Sequence, residues 1–189
     1  MSIDMMLPLE AFDPNKLKIE PTKKLKCLQA NIQRSICSLY YKDDLFILSP
    51  FSILTPFAKI HTWDFTSGKL ELYLGVHSVF QTKFNSFQMS IRSLIDHEYV
   101  SKPYFHPMLF GNILTIYLYT KSEKFKDRET WYYNNNEWTT KLHENSFIKG
   151  EYIRIAIQFQ GVCFLHDITK NEIKYRLQHQ VKAIYLKSS

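Results

Sequence analysis

Glycine and cysteine are scarce, with five of the first and three of the second in 189 residues. So few glycines leave little room for the Gly-rich loops that cradle phosphate, and no such motif occurs. Cys27, Cys37 and Cys163 cannot all pair. Each falls in a segment that reads as strand, where a reduced thiol packs as a small hydrophobe, so a reducing, cytoplasmic setting is expected. No apolar run reaches membrane-spanning length, and residues 1–14 lack the basic-then-apolar layout of an export signal. Neither a membrane nor export is expected.

Catalytic and metal chemistry is equally thin. Cys27 and Cys37 stand too far apart for a local zinc pair, and no spaced histidine pair accompanies them. His97 and His106 are separated by nine residues with Pro103 between. Asp64 and Glu71 are placed like a nuclease carboxylate pair, but Tyr73 stands where the lysine of such a site is needed. Cys163 has no evident activating base. The chain is expected to be no enzyme and to need no cofactor or metal.

What the sequence has in quantity is positive charge and aromatic rings: a net charge of +6, fourteen Phe and twelve Tyr. Cations contact phosphates and rings stack on bases, so this pairing suits nucleic acid. An AT-rich coding sequence produces much the same composition.

Residues 1–23 read as an arm, broken at Asp13-Pro14 and Glu20-Pro21, and five lysines stand against one glutamate from Lys16 to Lys26. Residues 24–189 read as one domain. Strands are expected at about 25–32, 36–41, 44–48, 52–62 and 69–76. In the last of these Leu70, Leu72, Leu74 and Val76 alternate with Lys69, Glu71 and Tyr73. A helix is expected over 79–98, where Phe80, Phe84, Phe87, Ile91, Leu94 and Ile95 recur at steps of three and four. Ser78 and Gln81 would form its capping box, and its phenylalanines belong to the core.

After the helix, strands are expected at 113–119, 151–159, 162–165 and 172–186, with Gly161 turning the chain and a bulge near Ala183. Residues 129–140 read as a projecting hairpin. A turn at Asn134-Asn135 would set Trp131 across from Trp138. Rings and cations then gather on the non-core faces: Tyr117, Tyr119, Tyr152, Arg154, Lys174, Arg176 and Lys182, with Trp131, Tyr133 and Trp138 in the hairpin. A sequence-tolerant single-strand binder needs that mixture, because stacking and phosphate contact both ignore base identity. The alternative is a non-enzymatic virion or scaffold protein that binds other proteins through the same aromatic faces.

The order of several short motifs resembles the single-stranded DNA-binding proteins of large cytoplasmic DNA viruses and virus-like linear plasmids. Phe12-Asp13-Pro14 and Lys18-Ile19-Glu20-Pro21 open the chain, and Leu54-Thr55-Pro56 closes an early strand. Asn112 to Leu118 follows the helix, then come Lys149-Gly150, Tyr152 to Phe159, Gly161-Val162-Cys163-Phe164 and Gln180-Val181-Lys182. The chain departs from that pattern in carrying Cys163 where a Trp is expected, and in having no Trp in its final strand. The resemblance implies an OB-fold core and the coating of single strands during replication in the cytoplasm, with single-stranded DNA and other replication proteins as partners. The expected fold class is β-dominated α+β: an OB-fold-like Greek-key barrel, one helix between its halves and an added hairpin.

Overall fold

Strand formation follows apolar alternation, and the two longest strands lie where it is most regular. The computed structural model describes residues 12–20, 23–24, 31–44, 46–48, 50–75, 78–98, 103–118, 131–134, 137–139 and 142–187, with the backbone alone at 14, 23–24, 97–98, 131, 134 and 137. Before the helix come β1 (Leu17–Ile19), β2 (Lys23–Lys24), β3 (Ile32–Lys42), β4 (Ile47–Leu48), β5 (Phe51–Leu54), β6 (Ala58–Asp64) and β7 (Lys69–Tyr73). The helix α1 covers Val79–Glu98. After it come β8 (Tyr104–His106), β9 (Leu109–Phe110), β10 (Ile113–Tyr117), β11 (Trp131–Asn134), β12 (Glu137–Thr139), β13 (Tyr152–Asp167) and β14 (Glu172–Leu186).

The main sheet runs β12-β11-β14-β13-β6-β7-β10-β9, with β3 and β5 also paired to β13 and β8 added to β14. It is mixed, because β8 and β11 run parallel to β14 while the other pairs are antiparallel. The β-dominated architecture with one helix between strand groups is the expected one. The sheet is not closed by backbone pairing into a barrel among the described residues: β9 and β12 form its two ends.

The helix packs its apolar stripe as its spacing predicts. Phe80, Phe84, Phe87, Ile91 and Ile95 are buried, and Phe87 meets Phe12, Phe51 and Phe159 with ring centroids 5.4, 6.0 and 4.8 Å away. Each such side chain contributes about 1.5–3 kcal/mol by leaving water. Only half of the capping box forms. Ser78 Oγ accepts from the Gln81 backbone N–H at 3.0 Å, but the Gln81 amide donates to Gly111 O and Asn112 Oδ1 instead of returning to the cap.

Several boundaries differ from the sequence expectation. The stretch 52–62 splits into β5 and β6, because Pro56 offers no N–H to a ladder. Buried Thr55 keeps the break tied to β13, its Oγ1 accepting from the Ile155 N–H at 3.0 Å. Of the strand expected over 44–48 only Ile47–Leu48 forms, and most of 25–32, with Cys27, lies outside the described residues. Within the segment read as an arm, β1 pairs with β3, and Phe12 and Leu17 are buried in the core. Two core side chains five residues apart make no period, so the pattern hides them.

Gly161 does not turn the chain. The strand passes straight through it as β13, sixteen residues long, with a shift of register on β14 between Phe159 and Gly161. Glycine is required there by close approach, because a Cβ would run into the Cys37 carbonyl oxygen of β3. The bulge expected near Ala183 is present: Ala156 faces Ala183 and Ile157 faces Val181, leaving Lys182 as the extra residue.

Candidate nucleic-acid interface

The outer face of the β13–β14 ribbon can be read from its register. Ile153, Ile155, Ile157 and Phe159 of β13 and Tyr175, Leu177, Val181 and Ile184 of β14 are buried in the core. Period two puts the intervening residues on the other face. Along it stand the facing pairs Leu165 and Lys174, Cys163 and Arg176, Gly161 and Gln178, Gln158 and Gln180, Ala156 and Ala183, and Arg154 and Tyr185. The last strand residue Leu186 faces Ile153, which brings Lys187 beside Tyr152: its Nζ lies 5.6 Å from the Tyr152 ring centroid.

The two ends of this face differ. At one end four strands converge. Arg34 of β3 lies opposite Leu165, while Tyr104 and His106 of β8 lie opposite Lys174 and Arg176. A pocket of about 590 Å³ opens there, lined by Arg34, Lys69, Lys174 and Arg176 together with His106 and Tyr117, and also by Tyr175, Leu177 and His179 from the core side of β14. Among the described residues no carboxylate lines it. Lys69 is paired to Glu71 at 2.5 Å and Lys174 to Glu172 at 3.4 Å, both carboxylates standing outside the lining. The Arg34 Nε donates to Cys163 Sγ at 3.2 Å and its Nη2 to Gln178 Oε1 at 3.4 Å, so this guanidinium is held in place by a sulfur and an amide oxygen. Exposed Tyr104 rests edge-on against His106, ring centroids 4.9 Å apart.

At the other end rings dominate. In the hairpin Asn134 stands opposite Glu137 and Tyr133 opposite Trp138. Trp131 therefore does not face Trp138; its backbone sits opposite Ala183 instead. The hairpin does not project either: β11 adds to the sheet beside β14, with Tyr133 opposite Tyr185. Trp138, 41% exposed, packs at 5.0 Å on Tyr133 and edge-on at 5.5 Å on Tyr185. Across β14 from Tyr185 lies Arg154, whose Nε donates to Thr55 O at 2.8 Å and whose guanidinium carbon sits 6.0 Å from the exposed Phe57 ring. Trp138, Tyr133, Tyr185, Arg154 and Phe57 thus make a row across neighbouring strands, beside exposed Tyr152.

Between the ends the face is closed. Gln158, Gln178 and Gln180 are buried, and a chain of amides satisfies several of their groups: Gln160 donates to Gln180 at 3.2 Å and Gln178 to Gln160 at 3.1 Å. Hydrogen-bonding each amide offsets the cost of taking it from water.

The structure thus gathers Tyr117, Lys174 and Arg176 at the pocket, and Tyr133, Trp138, Tyr152 and Arg154 at the ring end. Lys182 lies at the bulge between them. Tyr119 lies outside the described residues, as does the side chain of Trp131. Sequence reasoning missed Arg34, Lys69, Tyr104, His106, Tyr185 and Phe57. Arg34 was placed before the expected start of its strand at residue 36, and β8 is three residues long, too short for a period. Asp64 and Glu71 are engaged structurally: Asp64 accepts from Ser67 Oγ at 2.6 Å, and Glu71 binds Lys69 and Thr62. These bonds hold both carboxyls below their ordinary range.

Compared with family models, with curated proteins and with solved structures, the chain matches none.

Proposed function

We propose that the chain binds single-stranded DNA without strong sequence preference, using both ends of the β13–β14 face. The observation that carries this reading is the division of labour along one ribbon: four cations with no carboxylate in their pocket among the described residues at one end, and at the other a row of rings of which Trp138, Tyr152 and Phe57 are exposed. Phosphates would meet Arg34, Lys69, Lys174 and Arg176, and bases would stack on Trp138, Tyr133 and Tyr152. Duplex readout needs an element fit for the major groove. The helix here offers Lys83 and Arg92, and Arg92 is already paired with Asp96 at 3.5 Å.

The sheet curls so that β10 and β14 approach through Tyr117 and His179, and a helix sits between the strand groups. That arrangement supports an OB-like reading, as does the resemblance in motif order to single-strand binders of cytoplasmic DNA viruses and linear plasmids. On this reading the protein coats single strands during replication in the cytoplasm and catalyses nothing.

A second reading, a scaffold that binds proteins, draws on exposed apolar side chains such as Phe110 and Val79, 81% and 68% exposed. Heparin retention and the salt dependence of binding separate the two. A single-strand binder is retained on heparin and loses DNA affinity steeply with salt, whereas an apolar protein contact does neither.

A further inference from the structure

We propose that the pocket between β3, β7, β10 and β14 is a site for a phosphate monoester of a nucleotide, with Arg34 its central ligand. This deepens the single-strand reading and rests on the same face, but it asks for a different ligand from a run of internal phosphodiesters.

Charge makes the first argument. Arg34, Lys69, Lys174 and Arg176 bring four positive charges, and Glu71 and Glu172 beside them offset two. Among the described residues two remain, with no acidic side chain in the described lining to meet them. A phosphate monoester carries about −1.5 to −2 near neutral pH, whereas an internal phosphodiester carries a single charge. The match is to the monoester.

Geometry makes the second. Arg34 is half-buried, and its Nε and Nη2 are engaged by Cys163 Sγ and Gln178 Oε1. Those contacts fix the plane of the fork without neutralising it, and a pre-set planar fork is what recognises phosphate oxygens. The Gln178 oxygen that takes this bond belongs to an amide whose nitrogen is held by Gln160. The orientation therefore propagates from the buried glutamines to the arginine. The volume of about 590 Å³ falls within the range of small-ligand sites, and Tyr117 in the wall offers a ring to an attached base.

A monoester can arrive in two ways, as a free nucleotide or as the phosphorylated end of a strand. The test compares oligothymidylates of equal length bearing a 5′-hydroxyl, a 5′-phosphate or a 3′-phosphate, and thymidine monophosphate alone, by titration calorimetry on the full chain. At least one phosphorylated ligand should bind about tenfold or more tighter than its hydroxyl counterpart, the order expected for hydrogen bonds to a charged group. In Arg34→Gln, and independently in Arg176→Gln, that ratio should fall toward one while thermal melting stays cooperative. Thymidine monophosphate bound without any oligonucleotide binding would keep the pocket and remove the single-strand reading. Oligonucleotides bound with no preference for a phosphate end, and no binding of the free nucleotide, would overturn the pocket's assignment and leave the single-strand reading standing.

Discussion

The backbone N–H of Tyr117 donates a 3.1 Å hydrogen bond to Nε2 of His179, spanning the gap between β10 and β14 that no backbone pair closes. An accepting Nε2 requires the neutral imidazole with its proton on Nδ1. Burial pushes the His179 pKa down to about 4, opposed in part by a backbone hydrogen bond with Leu177 and reinforced by the Arg176 charge.

Stability should therefore depend on pH in a stated direction. The unfolded histidine titrates near 6.5, so between there and 4 the unfolded chain binds the extra proton and stability rises with pH. The contribution is whole above 6.5, and about 3 kcal/mol of it is lost on acidification to 4. Denaturant midpoints measured from neutral to acid pH should show this loss, and His179→Gln, which keeps an acceptor but cannot titrate, should flatten it. Asp64, Asp167 and Glu71, held low by their hydrogen bonds, add losses only from about their ordinary pKa values downward, and as groups at the solvent-facing surface they add little. Equal slopes in the two proteins would place the acid sensitivity elsewhere.

Phe12 should behave as a core residue despite its position in the chain. It is 2% exposed and packs at 5.4 Å on Phe87 and 5.6 Å on Tyr41. Phe12→Ala should cost about 3–5 kcal/mol, as other buried phenylalanine truncations do, and removal of residues 1–15 should lower the melting temperature as well. An unchanged melting temperature in both would return this segment to the role of a loose arm.

Trp138 tests the ring end. If a base stacks there, Trp138→Ala should weaken single-strand affinity by about 1–3 kcal/mol while the melting temperature falls little. A large fall in melting temperature with intact affinity per folded molecule would make the Trp138, Tyr133 and Tyr185 cluster a support for the sheet edge.

Lys174 and Arg176 test the phosphate term. Changing both to glutamine should weaken binding to all sequences about equally and flatten the salt slope by about one unit per lost contact. Weaker binding at an unchanged slope would mean that the fold, rather than the electrostatics, had been altered.

Much of this was legible where one side chain in two or one in three and a half is apolar. The helix bounds, β14 and its bulge, and the inward Ile153, Ile155, Ile157 and Phe159 all follow from period alone. What period cannot give is register and pairing. Nothing local in the Asn-rich stretch says that Asn134 pairs with Glu137, the register that sets Trp138 opposite Tyr133 and not Trp131. Likewise Arg34 reaches Cys163 across 129 positions of sequence, and its place in the pocket comes from the β3–β13 pairing. The burial of Gln158, Gln178 and Gln180 ran against their polarity, and it breaks what alternation predicts as one open face into two.

The central claim is tested most directly by fluorescence anisotropy with labelled single-stranded and duplex oligonucleotides of equal length, each at about 50 and 200 mM salt. The single strand should bind more tightly than the duplex at both concentrations, little affected by base composition, with affinity falling steeply between them. Equal affinity for strand and duplex, or binding indifferent to salt, would contradict the account.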